Sequence, residues 1–169
     1  MVKIRSGGLA TIMWIAGAML STAEPDPAPT PREIDLGVAV MRPVSRTKVR
    51  GTIRLVPTEK GLRLVGRVNN LTPGDHLMNL HEFGDLRSND ASSAGQLQTL
   101  GDSASLGELG RITAGDNGVA AVDVVVPEVD LPSWVGRSIV LYSRPRGGQP
   151  VSIGVVGIGN PHWRWPAQN

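Results

Sequence analysis

From Leu36 onward the apolar residues of this chain fall on alternate positions and are interrupted every eight to twelve residues by Gly, Pro, Asn or Asp. Ile53 and Leu55 alternate with Thr52 and Arg54, and Leu62, Leu64 and Val68 alternate with Arg63 and Arg67; Val38 and Val40 extend the pattern upstream. A period of two places one face of each segment in a core and the other in water, as in half-buried antiparallel strands. Gly and Pro together account for 34 of 169 residues, a share suited to a turn-rich β domain and not to a helical bundle. Thr58-Glu59-Lys60-Gly61 and Asn69 to Gly74 read as turns, and Ala114-Gly115-Asp116-Asn117-Gly118 as a hairpin signal. Strands are expected at about Asp75 to Phe83, Val119 to Val126, Arg137 to Ser143 and Ser152 to Ile158, with Gly84 to Arg111 as a long irregular stretch. Seven or eight such strands predict an all-β sandwich or flattened barrel.

The ends of the chain read differently. Lys3 and Arg5 precede an apolar run from Leu9 to Leu20, and Ser21-Thr22-Ala23 supplies small residues at a cleavage position. Twelve helical residues rise only ~18 Å, short of the ~30 Å hydrocarbon core, so residues 1–23 are read as a signal peptide cut near Ala23 and not as an anchor. The mature chain is expected to be secreted or periplasmic, with no membrane association. Pro25, Pro27, Pro29 and Pro31 stand at every second position, so residues 24–35 form an extended linker. The domain proper is assigned to 36–159, and 160–169 is a tail carrying Trp163 and Trp165.

Loss of the leader removes Lys3 and Arg5 and no acid, so the 17 basic residues fall to 15 against 15 acidic ones, a net charge of zero. The charge is polarised: Arg32 to Arg67 holds nine basic and three acidic residues, Val68 to Asp130 two and ten. No aromatic residues interleave with the basic segment, so it reads as arginines on the solvent faces of strands and no nucleic-acid partner is expected. Cysteine is absent, which excludes disulfides, thiolate metal sites and thiol nucleophiles; the histidines are His76, His81 and His162. Asn70-Leu71-Thr72 is a glycan acceptor only in a eukaryotic secretory pathway.

Gly74-Asp75-His76-Leu77-Met78-Asn79-Leu80-His81-Glu82-Phe83-Gly84-Asp85, followed by Ser93-Ala94-Gly95, resembles the signature of the copper/zinc superoxide dismutase family. The likeness continues through Leu106 to Gly110, Ala114 to Asp123, Val135 to Ser138 and Gly154 to Ile158. It implies a flattened eight-stranded Greek-key β-barrel with short loops and a metal site outside the barrel wall. It also implies where the ligands should stand. Asn79 occupies the place of the first copper histidine, His81 retains the second, Leu97 takes the place of the bridging histidine and Tyr142 that of the last. On the zinc side Ser105 and Glu108 replace a histidine and the aspartate. Pro150 stands for the guiding arginine and Ala91 for a half-cystine.

One imidazole with an amide, an aliphatic chain and a phenol does not make a redox site for copper. Asp85, Asp90, Asp102 and Glu108 add negative charge that would hinder an arriving anionic radical, and they read first as a solvated acidic loop and only second as anion exclusion. The expectation is therefore an exported dismutase-like barrel without catalysis or cofactor, acting as a binding or scaffold module. The alternative is a residual or rebuilt metal site on His81 and Glu108, with His162 brought in by a tail folded over the old metal face through Trp163 and Trp165; copper or zinc is implied only there. Trp163-Arg164-Trp165 is also a candidate anchor for a homodimer or another protein partner.

Overall fold

The computed structural model describes residues 33–99 and 107–163. Eight strands follow one another in the chain: β1 Gly37–Pro43, β2 Arg50–Thr58, β3 Gly61–Asn69, β4 Gly74–His81, β5 Glu108–Ala114, β6 Ala120–Pro127, β7 Ser138–Tyr142 and β8 Pro150–Ile158. All pairings are antiparallel, in the order β5-β4-β7-β8-β1-β2-β3-β6. β1 to β3 form a meander; the chain then crosses to β4, and β6 returns to lie beside β3. The two edge strands, β5 and β6, are joined by the Gly115–Gly118 turn and meet through side chains, so the barrel is nearly closed. The architecture is all-β, as the alternation and the resemblance both imply.

The inward faces bury Ile53, Leu55, Leu62, Leu64, Met78, Leu80, Val122, Ile139 and Leu141 at 1% exposure or less, each burial contributing about 1.5–3 kcal/mol. In β1 the phase is opposite to the one read from the valines. Ala39 and Met41 face the core, while Val40 is 65% exposed. The outward valine is the larger side chain, so hydrophobicity alone misassigned the face. The irregular stretch also ends earlier than expected, because Glu108 to Arg111 already belong to β5. Its buried residues are Leu109, Ile112 and Ala114, a spacing that breaks the period of two. A register shift between Met78 and Asn79 on β4 and Gly110 at φ 129° supply the physical cause: a bulge absorbs one residue.

The connection from β4 to β5 is the one long loop of the barrel. It is not loose at its start. Glu82 and Phe83 donate their backbone N–H to Gln96 and Ala94, and Gln98 donates to Leu80, so residues 94–98 run back along the end of β4. Ala91 and Ala94 are buried against Val44, Val140 and Ile153 on the outer side of β7 and β8. Where a half-cystine would staple the loop, a small apolar side chain packs instead.

His76 is buried within the barrel end, with Nδ1 2.9 Å from the Tyr142 carbonyl oxygen and Nε2 2.8 Å from that of Thr72. It ties β4 to the end of β7 and to the preceding turn. His76→Leu should remove the ring nitrogens that face these two buried carbonyls and cost about 2–4 kcal/mol, lowering the thermal midpoint by roughly 6–15 °C in a circular-dichroism melt.

Candidate metal-site remnant

β4 turns His76, Met78 and Leu80 inward and Asn79 and His81 outward, toward the loop that covers them. Both outward residues are 7% exposed. The covering segment forms an isolated bridge between Leu97 and His81, and β7 places Tyr142 on the neighbouring strand. Asn79, His81, Leu97 and Tyr142 thus line one cleft of about 280 Å³, together with Gly95 and Arg144. The four positions at which the resemblance places copper ligands do converge; the chemistry at those positions has changed.

The hydrogen bonds in this cleft are fixed in one direction. His81 Nδ1 lies 3.0 Å from the Gly95 carbonyl oxygen, which can only accept, so Nδ1 carries the hydrogen. In the neutral imidazole Nε2 then presents its lone pair, and the Tyr142 hydroxyl, 2.9 Å away, donates to it. The two rings lie nearly parallel, 25° apart with centroids separated by 6.2 Å. Burial pushes the Tyr142 phenol above its ordinary ionisation range, and a side-chain hydrogen bond from Asn79 draws it back in part. With the amide nitrogen of Asn79 facing the phenol, its Oδ1 is left buried without a hydrogen-bond partner.

Copper and zinc do not fit this donor set. The imidazole lone pair is held by a hydroxyl, the phenol stays protonated at neutral pH, and Leu97 offers no donor at all. Glu108 lies opposite Asn79 in the β4–β5 register but is exposed and has no hydrogen bond or ion pair among the described residues. Among the described residues no three His, Asp or Glu side chains are grouped so as to hold a metal ion. His162 sits in a turn in which Asn160 Oδ1 accepts its backbone N–H at 2.9 Å, and the next residue, Trp163, lies against β1 to β3 and not over the cleft at His81. Among the described residues the tail does not bring His162 to His81 and Glu108. Ser105, Asp102 and Trp165 lie outside the described residues.

Sequence reading missed Arg144. It stands two residues past the end of β7 and lines the cleft, and Pro150, where the resemblance places the guiding arginine, pairs with Tyr142. Its position two residues after Tyr142 was the available signal. The acidic loop is also less free than its composition suggests: Arg87 forms an ion pair with Asp85 at 2.6 Å and brings its carboxyl down to about 2.

An antiparallel eight-stranded barrel with a side-chain cleft outside its wall, roofed by the β4–β5 loop, defines the class of this protein. Residues 49–155 match the model of the copper/zinc superoxide dismutase (SODC) family, and the chain belongs to that family. It is 30% identical over 120 residues to Cu-Zn superoxide dismutase 3 of Arabidopsis thaliana, covering 62% of this chain and 73% of the relative. It is 33% identical over 107 residues to an extracellular Cu-Zn superoxide dismutase of Brugia pahangi, covering 56% of this chain and 53% of that one. A chloroplastic copper chaperone for superoxide dismutase from Oryza sativa subsp. japonica is 33% identical over 104 residues, covering 59% of this chain and 33% of the relative.

Tyr142 is the sole tyrosine of the chain, which makes its ionisation directly visible by absorbance. The folded protein should titrate above the usual ~10, and the denatured chain at about 10. The folded state then retains the phenolic proton longer than the unfolded one, so stability should fall as pH rises from about 10 to the folded value and not change on that account below it. Asn79→Leu, which removes the bond that favours the phenolate, should raise the folded midpoint further.

Proposed function

We propose that this protein is an exported member of the superoxide dismutase family that has given up redox catalysis and serves as a binding or scaffold module, for another protein or for a second copy of itself. The observation that carries the reading is the occupied lone pair of His81: the one imidazole that remains at the old copper position is the acceptor of the Tyr142 hydroxyl. A ligand must give its lone pair to the metal, and here the three companion positions offer an amide, an alkyl chain and a protonated phenol. Fold alone does not transmit activity.

The mature protein, purified and exposed to copper and zinc, should retain far less than one equivalent of copper after dialysis and show no dismutase activity above a protein control. Stoichiometric copper with turnover overturns the proposal. The triple substitution Asn79→His, Leu97→His, Tyr142→His returns imidazoles to the cleft and should bring copper binding to about one equivalent, read by metal analysis and by the visible spectrum of the copper site.

Export rests on the Lys3/Arg5, Leu9–Leu20 and Ser21-Thr22-Ala23 pattern and is supported by the extracellular designation of the Brugia relative. The exported form should begin at Glu24, as read by intact mass; a full-length protein retained inside the cell overturns it.

A further inference from the structure

The outward face of β1, β2 and β3 is concave. Gly51 pairs with Val68 and Gly66 with Ile53 across the β2–β3 ladder. A Cβ at Gly51 would run into the Arg67 carbonyl oxygen, and one at Gly66 into that of Thr52. Only glycine permits the two backbones to approach so closely. The groove that results has a volume of about 780 Å³, within the range of ligand-binding clefts.

Four arginines line it, Arg42, Arg50, Arg54 and Arg67, and no carboxylate does. Arg42 is anchored, because its guanidinium donates to the Leu86 carbonyl. Arg50, Arg54 and Arg67 are exposed, and among the described residues their side chains make no ion pair or hydrogen bond. The nearest carboxylate by register, Asp123 opposite Val65, is already held by Arg63 at 2.7 Å. Trp163, 63% exposed, borders the groove beside Val40. It is held there by the turn in which its backbone N–H donates to Asn160 at 3.1 Å.

The spacing of the three free guanidinium groups identifies their partner. Arg50 and Arg54 are four residues apart on one strand, ~13 Å, and Arg67 pairs with Thr52, midway between them on the adjacent strand ~4.8 Å to the side. An extended polypeptide presents residues i, i+2 and i+4 on one face, ~6.7 Å apart, so its first and fifth residues span the same ~13 Å and its third falls level with Arg67. Guanidinium groups take carboxylates in a two-point contact that Lys cannot reproduce. A flat bilayer does not enter a concave groove, and a nucleic acid would require more stacking surface than Trp163, the one aromatic lining residue among the described residues, supplies.

We infer that the Arg50/Arg54/Arg67 groove on the outer face of β1 to β3 is a docking site for an extended acidic segment of a partner protein, with Asp or Glu at every second position. The inference names a partner class for the binding-module reading and rests on it. Their failures are separable, because peptide binding and copper loading are measured independently.

The test uses the mature protein and two peptides of identical composition, (Ser-Glu) repeated five times and Ser5Glu5, titrated at 0.15 M salt by calorimetry and by tryptophan fluorescence. The alternating peptide should bind several-fold more tightly and perturb tryptophan emission. Arg54→Glu and Arg67→Glu should each weaken it at least about tenfold, and Arg54→Gln and Arg67→Gln less. Arg111→Glu, an exposed control on β5, should leave binding unchanged. Thermal melts establish that each variant is folded, and the Gln variants carry the test should a charge reversal fail to fold. No binding at millimolar peptide, equal affinity for the two peptides, an equal effect of Arg111→Glu, or tighter binding to oligo-dT or to vesicles of anionic lipid would each overturn the inference.

Discussion

The hydrogen on His81 Nδ1 is fixed by a backbone carbonyl, and the rest of the cleft follows from that single donor. Gly95 accepts it, Nε2 must then accept, Tyr142 must donate, and the amide of Asn79 is left to face the phenol. A metal site uses the same tautomer, with the lone pair of Nε2 directed at an ion instead of at a hydroxyl. The two uses exclude one another without any change in the backbone. The cleft is therefore preserved in shape and converted in chemistry, by exchange of side chains that a strand and a loop still bring together.

The loop that roofs the cleft illustrates how such a conversion remains stable. In a metal-bound barrel, ligands and a disulfide restrain a segment of this length. Here Ala91 and Ala94 are packed on Val140 and Ile153, and Ser138 Oγ donates to the Phe83 carbonyl at 2.7 Å. Arg137 reaches the Glu82 carbonyl from the neighbouring connection. Burial and hydrogen bonds, neutral and charged, hold this segment, each small but close together in space. The described portion of the loop follows this network, and the positions of Leu97 and His81 are consequences of it.

Charge is distributed on a plan of its own. The basic segment Arg32 to Arg67 coincides with β1 to β3, and because these strands are neighbours in the sheet their outward arginines form a surface instead of a linear run. Asp123 of β6 pairs with Arg63 at the β3 edge of this face, and no carboxylate lines the groove that holds Arg50, Arg54 and Arg67. Gly51 and Gly66 give it depth.

Much of the fold could be read from the chain itself: the strands of the meander, the turn residues, and the outward orientation of Asn79 and His81 relative to His76, Met78 and Leu80 all follow from a period of two. Local pattern failed where the period is interrupted or where both faces are apolar. The bulge at Met78/Asn79 concealed the start of β5, and three valine-sized or smaller residues in a row left β1 with two equivalent phases. Ligand identity was legible too, since the loss of imidazoles is a matter of residue type. The direction of the hydrogen bonds at His81, the presence of Arg144 at the cleft and the meeting of Trp163 with three arginines were not. Each depends on residues far apart in the chain, and only the sheet order and the close backbone approach at two glycines decide which of them become neighbours.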